Sequence, residues 1–336
     1  MSGEQSAARD ADNAVRWRPG QFRGHVESHF LKLVSPQADR ALWVKHTIFV
    51  PQGRPAEALS EDWAVWFERG RAPIGVRRSR PATKADFTRA PFAIQTEGQR
   101  LQDGAARGRL TAEGHDIVWE LVWTPRGAPF RPFPLTRMYE GPFPRSKTLT
   151  PHPDVRMTGW IEIDGVRIGV AEWPGMQGHN WGASHAHAYA WAHCNAFEEE
   201  SEAWFEGLSG RVRIGPVLTP WLSVAGLWID GHLYRFDGPR AMLARRIEVD
   251  WFRWSFVLEG GDGVRLEGEI RAQREDIAAL GYDNPRGERT DCLNSKLAAG
   301  TLRLRRPGAA VRELRSRAFA LELGTLRRDH GVPRLL

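Results

Sequence analysis

Four of the chain's 11 histidines, His179, His185, His187 and His193, fall within 15 residues. Imidazole titrates closest to neutrality of all side chains, so such a concentration suits proton transfer or metal ligation. From His185 the sequence alternates large and small residues as far as Cys194-Asn195-Ala196-Phe197. Successive side chains on a strand point to opposite faces. One face would carry His185, His187, Tyr189, Trp191, His193, Asn195 and Phe197, and the other Ala186, Ala188, Ala190, Ala192, Cys194 and Ala196. The small face admits a close neighbour, while the large one offers rings and hydrogen-bonding groups to a cavity. His185 and His187 share a face, but no carboxylate or thiolate at a familiar ligand spacing completes a metal set, and no metal is expected. The sequence has no Gly-x-Ser-x-Gly elbow, His-Glu-x-x-His, phosphate loop or dinucleotide fingerprint, which argues against serine hydrolases, kinases and nicotinamide enzymes. Glu120 and Glu172 are single acids in separate segments rather than a glycosidase pair.

The rest of the chain is patterned to hold such a strand among others. Val26, Ser28, Phe30, Lys32 and Val34 alternate with Glu27, His29, Leu31 and Leu33, and Leu42, Val44, His46, Ile48 and Val50 follow in the same rhythm. Runs of similar character occupy 63–67, 117–123, 157–163, 166–170, 221–229, 247–258, 264–270, 300–304 and 318–323. Asp164-Gly165, Asp230-Gly231 and Asp262-Gly263 sit between runs, where tight hairpins need residues that tolerate positive φ. The best helical period is short, at 274–280. An all-β protein of sandwiches or up-and-down barrels is expected, with few short helices. Eight prolines in 124–154 mark a long extended connection, because proline cannot donate to a ladder. The expected organisation is a disordered tail over 1–15, an N-terminal β domain over 16–165 that includes the connection, and a C-terminal β domain over 166–336. The acidic run from Glu198 to Glu202 reads as a solvated hairpin loop.

With 336 residues there is ample chain for two such units. Thirty-four glycines and 22 prolines imply many turns, and 15 tryptophans beside 4 tyrosines imply much flat aromatic surface. The net charge is +6, and of 47 basic residues only Lys32, Lys45, Lys84, Lys147 and Lys296 are lysines. The charge is interleaved with acids rather than gathered into a stripe, so no nucleic-acid partner is expected. No apolar run approaches the roughly 20 residues of a membrane span. The N-terminal residues lack the apolar region of a secretory signal, which makes a cytoplasmic location the expectation, with peripheral membrane contact left open. Cys194 and Cys292 form no disulfide framework.

Several pieces in order resemble the tocopherol-cyclase-like group, which is related more remotely to carotenoid hydratases and double-lipocalin-like proteins of the AttH type. They are Met138-Tyr139-Glu140-Gly141, the strand and turn from Gly159 to Gly165, Asn180-Trp181-Gly182, the Tyr189 to Trp191 step, and Cys194-Asn195-Ala196-Phe197. Cys292-Leu293-Asn294-Ser295 leading into 300–304 is similar to the family's closing motif. Before the x-Trp-Gly step the family carries an acid and then a basic or imidazole residue. Here the second position is His179 and the first is Gly178. The resemblance implies two lipocalin-like β units with a site between or within them, a hydrophobic prenyl, terpenoid or polyene substrate, and no cofactor. The activity expected is a cyclase, hydratase or isomerase that protonates an alkene. His179 or His193 would be the acid, with Tyr139 or Glu172 as alternates, and Asn195 would orient a hydroxyl. Asn180, Trp181, His185, His187, Tyr189, Trp191 and Phe197 would bind substrate. A non-catalytic carrier of a hydrophobic molecule is the alternative, and a metal enzyme built on the histidines is the second.

Overall fold

The computed structural model describes residues 3–243 and 246–336. Two large antiparallel sheets account for most of it, each curled around its own apolar core. The first holds β1 (His25–Val34), β2 (Arg40–Val50), β3 (Leu59–Glu68), β4 (Ile74–Pro81), β5 (Asp86–Arg89), β6 (Phe92–Gln95), β7 (Gln99–Gln102), β8 (Ala105–Ala112), β9 (His115–Trp123), β10 (Ser146–Ile163) and β11 (Val166–Gly182). Its spatial order is β4-β3-β2-β1-β11-β10-β9-β8-β7-β6-β5, and β4 curls back to pack against β8 and β9.

The second sheet holds β12 (Ala188–Cys194), β13 (Trp204–Arg211), β16 (Leu222–Ile229), β17 (His232–Phe236), β18 (Arg246–Asp250), β19 (Arg253–Glu259), β20 (Arg265–Arg271), β21 (Ala278–Asp283), β22 (Arg289–Arg305) and β23 (Arg312–Thr325), with a two-stranded ribbon of β14 (Arg213–Ile214) and β15 (Val217–Leu218) beside it. A third core lies where the sheets face each other and includes Phe30, Trp43, Trp63, Met176, Trp191 and Tyr282. The all-β expectation holds. The Asp-Gly pairs at 164, 230 and 262 have φ between 50° and 84° at both residues, the geometry of tight hairpins.

Four expectations need correction. β11 pairs with β1 and β10 in the first sheet, so the change of unit falls after Gly182 rather than at residue 165. The connection is also shorter than 124–154, because β10 begins at Ser146 and accommodates Pro151 and Pro153 at irregularities in its ladder. The segment 274–280 is a single 3₁₀ turn at Arg274–Asp276 followed by β21, whose five residues from Ala278 to Tyr282 are buried against β22. Finally, residues 3–13 form α1 (Gly3–Asn13) rather than a disordered tail. This helix supplies few apolar groups but many polar partners. Asp12 accepts from Arg131 at 2.6 Å, Asp10 from the Phe92 backbone N–H at 2.8 Å, and Ala14, Val15 and Trp17 are buried beyond it.

Candidate active site

The sheets enclose a cleft between their facing surfaces, a cavity of about 170 Å³. The first sheet lends Val26, Ser28 and Phe30 from β1, Trp43 and Lys45 from β2, and Asn180 from β11. Strand register explains the set, since Phe30 lies opposite Lys45 on one side and opposite Gly178 on the other. From the second sheet come Tyr189 and Trp191 on β12, Leu208 on β13, Tyr282 on β21 and Glu322 on β23. Glu322 is the cross-strand partner of Trp191, which puts the carboxylate on the cleft face. Phe133, Met138 and Phe143 of the proline-rich connection close one side.

Among the polar groups that line it, Lys45, His185 and Glu322 stand out. Lys45 is buried, with Nζ 3.7 Å from the Tyr282 ring centroid and 5.7 Å from those of Trp43 and Trp63. Burial pushes its ammonium down to about 8, partly offset by Glu322, Cys292 and Glu61. Glu322 accepts from Lys296 Nζ at 2.7 Å and from Asn294 Nδ2 at 3.3 Å. His185 stacks on Tyr282 with centroids 5.3 Å apart. The Asn284 Oδ1 atom accepts both the His185 backbone N–H at 2.9 Å and Nδ1 at 3.0 Å, while Asn284 Nδ2 donates to Thr290. That arrangement fixes the proton on Nδ1 and leaves Nε2 as a bare acceptor. Burial lowers this imidazole to about 4, so it is neutral at ordinary pH. The cleft therefore pairs an oriented base with a desolvated ammonium.

The sequence candidates divide between the cleft and other places. Asn180, Trp181, His185, Tyr189 and Trp191 line it. Ala190, Ala192 and Cys194 point into the second core, as the alternation requires. Phe197 does too, packed on Phe319, because β12 ends at Cys194 and the alternation lapses beyond it. His187 precedes the strand, partly exposed, its backbone N–H donating to Arg211. His193 donates Nε2–H to the Pro153 carbonyl at 2.7 Å. Asn195 bridges Lys32, Asp154 and the Gly175 carbonyl. Neither of these lines the cleft, and both sit in polar contacts that join the sheets. The Tyr139 hydroxyl accepts the Phe133 backbone N–H at 2.8 Å, and burial pushes its phenol pKa up, which makes it a weaker acid. Glu172 is exposed on β11, where it accepts from Thr158.

His179 faces the interior of the first sheet, opposite His29, with the two rings stacked at 4.0 Å. Its Nδ1 donates to the Asp12 carbonyl at 2.7 Å and its Nε2 to Glu27 at 2.9 Å. Glu27 accepts in addition from the backbone N–H groups of Arg16 and Trp17 and from His25, and against the burial that pushes it up, His179 and His25 hold its carboxyl well below the usual range. Glu27, His29 and His179 place ligand atoms within 4.8 Å of one another. Apart from His29 Nδ1, however, each of those atoms already has a protein partner, so the donor set is committed to closing the barrel under α1 and does not fit a metal. The family's acidic position, Gly178, lies beneath the Phe30 ring, and a Cβ there would stand 2.3 Å from it.

Lys45, Tyr282 and Glu322 escaped the sequence reading. A signal was present for the first of these. In a chain so rich in arginine, four of the five lysines, Lys32, Lys45, Lys147 and Lys296, are buried, so the scarce cation is an interior one.

Residues 59–325, well over half of the chain, match the family model described as tocopherol cyclase-like. Among solved structures, the chain is similar to a protein of Nitrosomonas europaea assigned as an AttH, with a TM-score of 0.57 and 14% identity over 97% of each chain. It is also similar to kievitone hydratase from Nectria haematococca, with a TM-score of 0.50 and 8% identity over 92% of this chain and 90% of that one. At such identities the structural likeness is one of fold. The family match is carried by the sequence itself, and the chain belongs to the tocopherol cyclase-like family.

Proposed function

We propose that this protein is a cyclase or hydratase that adds an O–H group across a carbon–carbon double bond of a hydrophobic prenyl, terpenoid or polyene substrate held between the sheets. The observation that carries the reading is His185, a cleft-lining imidazole whose Nδ1 is bonded to Asn284, so that Nε2 is its basic nitrogen. Its Nε2 takes the proton of a substrate hydroxyl or of water as the new C–O bond forms. The double bond's other carbon takes a proton from solvent, and His185 returns the one it took, so atoms balance without an oxidant or reductant. Trp43, Tyr189 and Trp191 pack against the apolar body of the substrate. Glu322, held by Lys296, adds a fixed negative charge on the same wall.

General-base catalysis by a positioned imidazole contributes about 10²–10⁴-fold. His185→Ala is therefore expected to lower kcat on a prenylated hydroquinone by about 10² or more, with folding unchanged by circular dichroism. Equal kcat in the two proteins refutes the assignment. A hydrophobic ligand that co-purifies and is released unaltered supports the carrier reading instead.

A further inference from the structure

Two donors in the cleft have no oxygen or nitrogen to bond. Among the described residues, Lys45 Nζ makes no hydrogen bond or ion pair and is held only by rings. The Tyr282 hydroxyl is buried and finds no such partner either, its polar neighbour being the Cys292 thiol. Leaving buried donors unpaired is costly, and a ligand acceptor recovers that cost. The Tyr282 oxygen stands one ring radius and one C–O bond from the centroid beneath Nζ, which makes the two donors close neighbours.

We infer that Lys45 and Tyr282 form an oxyanion site, and that the double bond attacked in this cleft is conjugated to a carbonyl whose oxygen occupies it. The inference rests on the cyclase or hydratase reading for its chemistry. It deepens that reading by naming an electron-poor alkene, such as an enone, rather than an isolated one. In the step, the hydroxyl oxygen bonds the β carbon while His185 Nε2 takes its proton. The π electrons move through the α carbon to the carbonyl oxygen, giving an enolate held by Lys45 and Tyr282. The α carbon then takes a proton from solvent, and the carbonyl re-forms. An ammonium is too weak an acid to protonate an isolated alkene, but it is well matched to an enolate oxygen. The charged and titratable groups around Lys45 are Glu322 from β23, Cys292 from β22, Glu61 from β3, Arg77 from β4 and His185. The negative ones favour the ammonium that the site requires.

The test uses 4-nitrophenol, whose phenolate is yellow and whose phenol is colourless, as a stand-in for the enolate. Bound to the full-length protein, its apparent pKa is expected to fall by about one unit or more, a tenfold preference for phenolate. Lys45→Met should abolish the shift and Tyr282→Phe reduce it, while binding of neutral 4-nitroanisole stays unchanged in both. Failure of 4-nitrophenol to bind, or a shift that survives in Lys45→Met, overturns the oxyanion site. Conversion of 2′-hydroxychalcone and of a prenylated hydroquinone is measured in parallel. Absence of the phenolate shift in the wild-type protein, with continued hydroquinone turnover, overturns this inference and leaves the cyclase reading standing. A retained shift with neither compound converted supports the oxyanion site and counts against the cyclase reading.

Discussion

His185 and Lys45 are the two side chains whose ionisation brackets the proposed chemistry. His185 must be neutral to accept a proton, and burial holds it neutral down to about pH 4. Lys45 must be charged to hold a developing oxyanion, and burial limits that charge to pH values below about 8. The pH profile of kcat/KM should therefore be bell-shaped, losing activity below about 4 as His185 charges and above about 8 as Lys45 discharges. Replacing Lys45 with methionine should remove the alkaline limb along with most of the activity. An alkaline limb that persists in the variant contradicts the role given to this amine. At this scale the sequence was half legible. The alternation from His185 placed Tyr189 and Trp191 on one face correctly. Proximity in the chain failed for the histidines, because His179 and His193 sit on strands of different sheets and each is turned to a backbone carbonyl. Lys45 and Glu322 come from strands far apart in sequence, and only cross-sheet packing brings them together.

Glycine serves turns in this chain, and at several strand positions it serves another purpose. Phe30 lies over Gly178, Tyr189 over Gly324, Trp119 over Gly108 and Phe256 over Gly268, each ring covering the glycine directly across the ladder. A ring laid flat on a glycine packs without raising the sheet surface, which lets curled sheets keep large aromatic groups inside. Two of the four rings, Phe30 and Tyr189, are walls of the cleft. A Cβ at residue 324 would stand 1.9 Å from the Tyr189 ring and must drive it into the cavity. Gly324→Ala should cost about 1–3 kcal/mol of stability, as overpacking generally does. It should also raise KM for hydrophobic substrates more than Gly268→Ala, which crowds Phe256 in the second core away from the cleft. Equal effects on KM would show that the Tyr189 wall does not shape the site. Strand positions and hairpins were legible because period-two patterning and Asp-Gly pairs are local signals. The ring-on-glycine pairs were not, since register is a property of two strands. Nor was α1, whose residues look too polar to order until the barrel end supplies their partners.

The two sheets are joined by more than apolar contact. Lys32 reaches Asn195 at 3.1 Å, His193 reaches the Pro153 carbonyl, Thr150 donates to Glu206 at 2.5 Å, and Arg69 donates to the Leu297 and Arg317 carbonyls. Buried polar contacts of this kind lose their partners if one unit opens alone. Thermal unfolding should therefore show one transition by fluorescence and by circular dichroism, with coincident midpoints, and two separated transitions would contradict the coupling. The same coupling makes the cleft a property of the whole molecule, because each sheet supplies one wall, with Lys45 on the first and Tyr282 and Glu322 on the second. The central claim is that this cleft adds O–H across a double bond, and solvent deuterium tests it most directly. Purified protein and an O–H-bearing alkene substrate, incubated in D₂O, should give a product with a new C–O bond and one deuterium on the neighbouring carbon, formed by wild type and lost in His185→Ala. Substrate recovered without carbon-bound deuterium and without a new C–O bond would contradict the account.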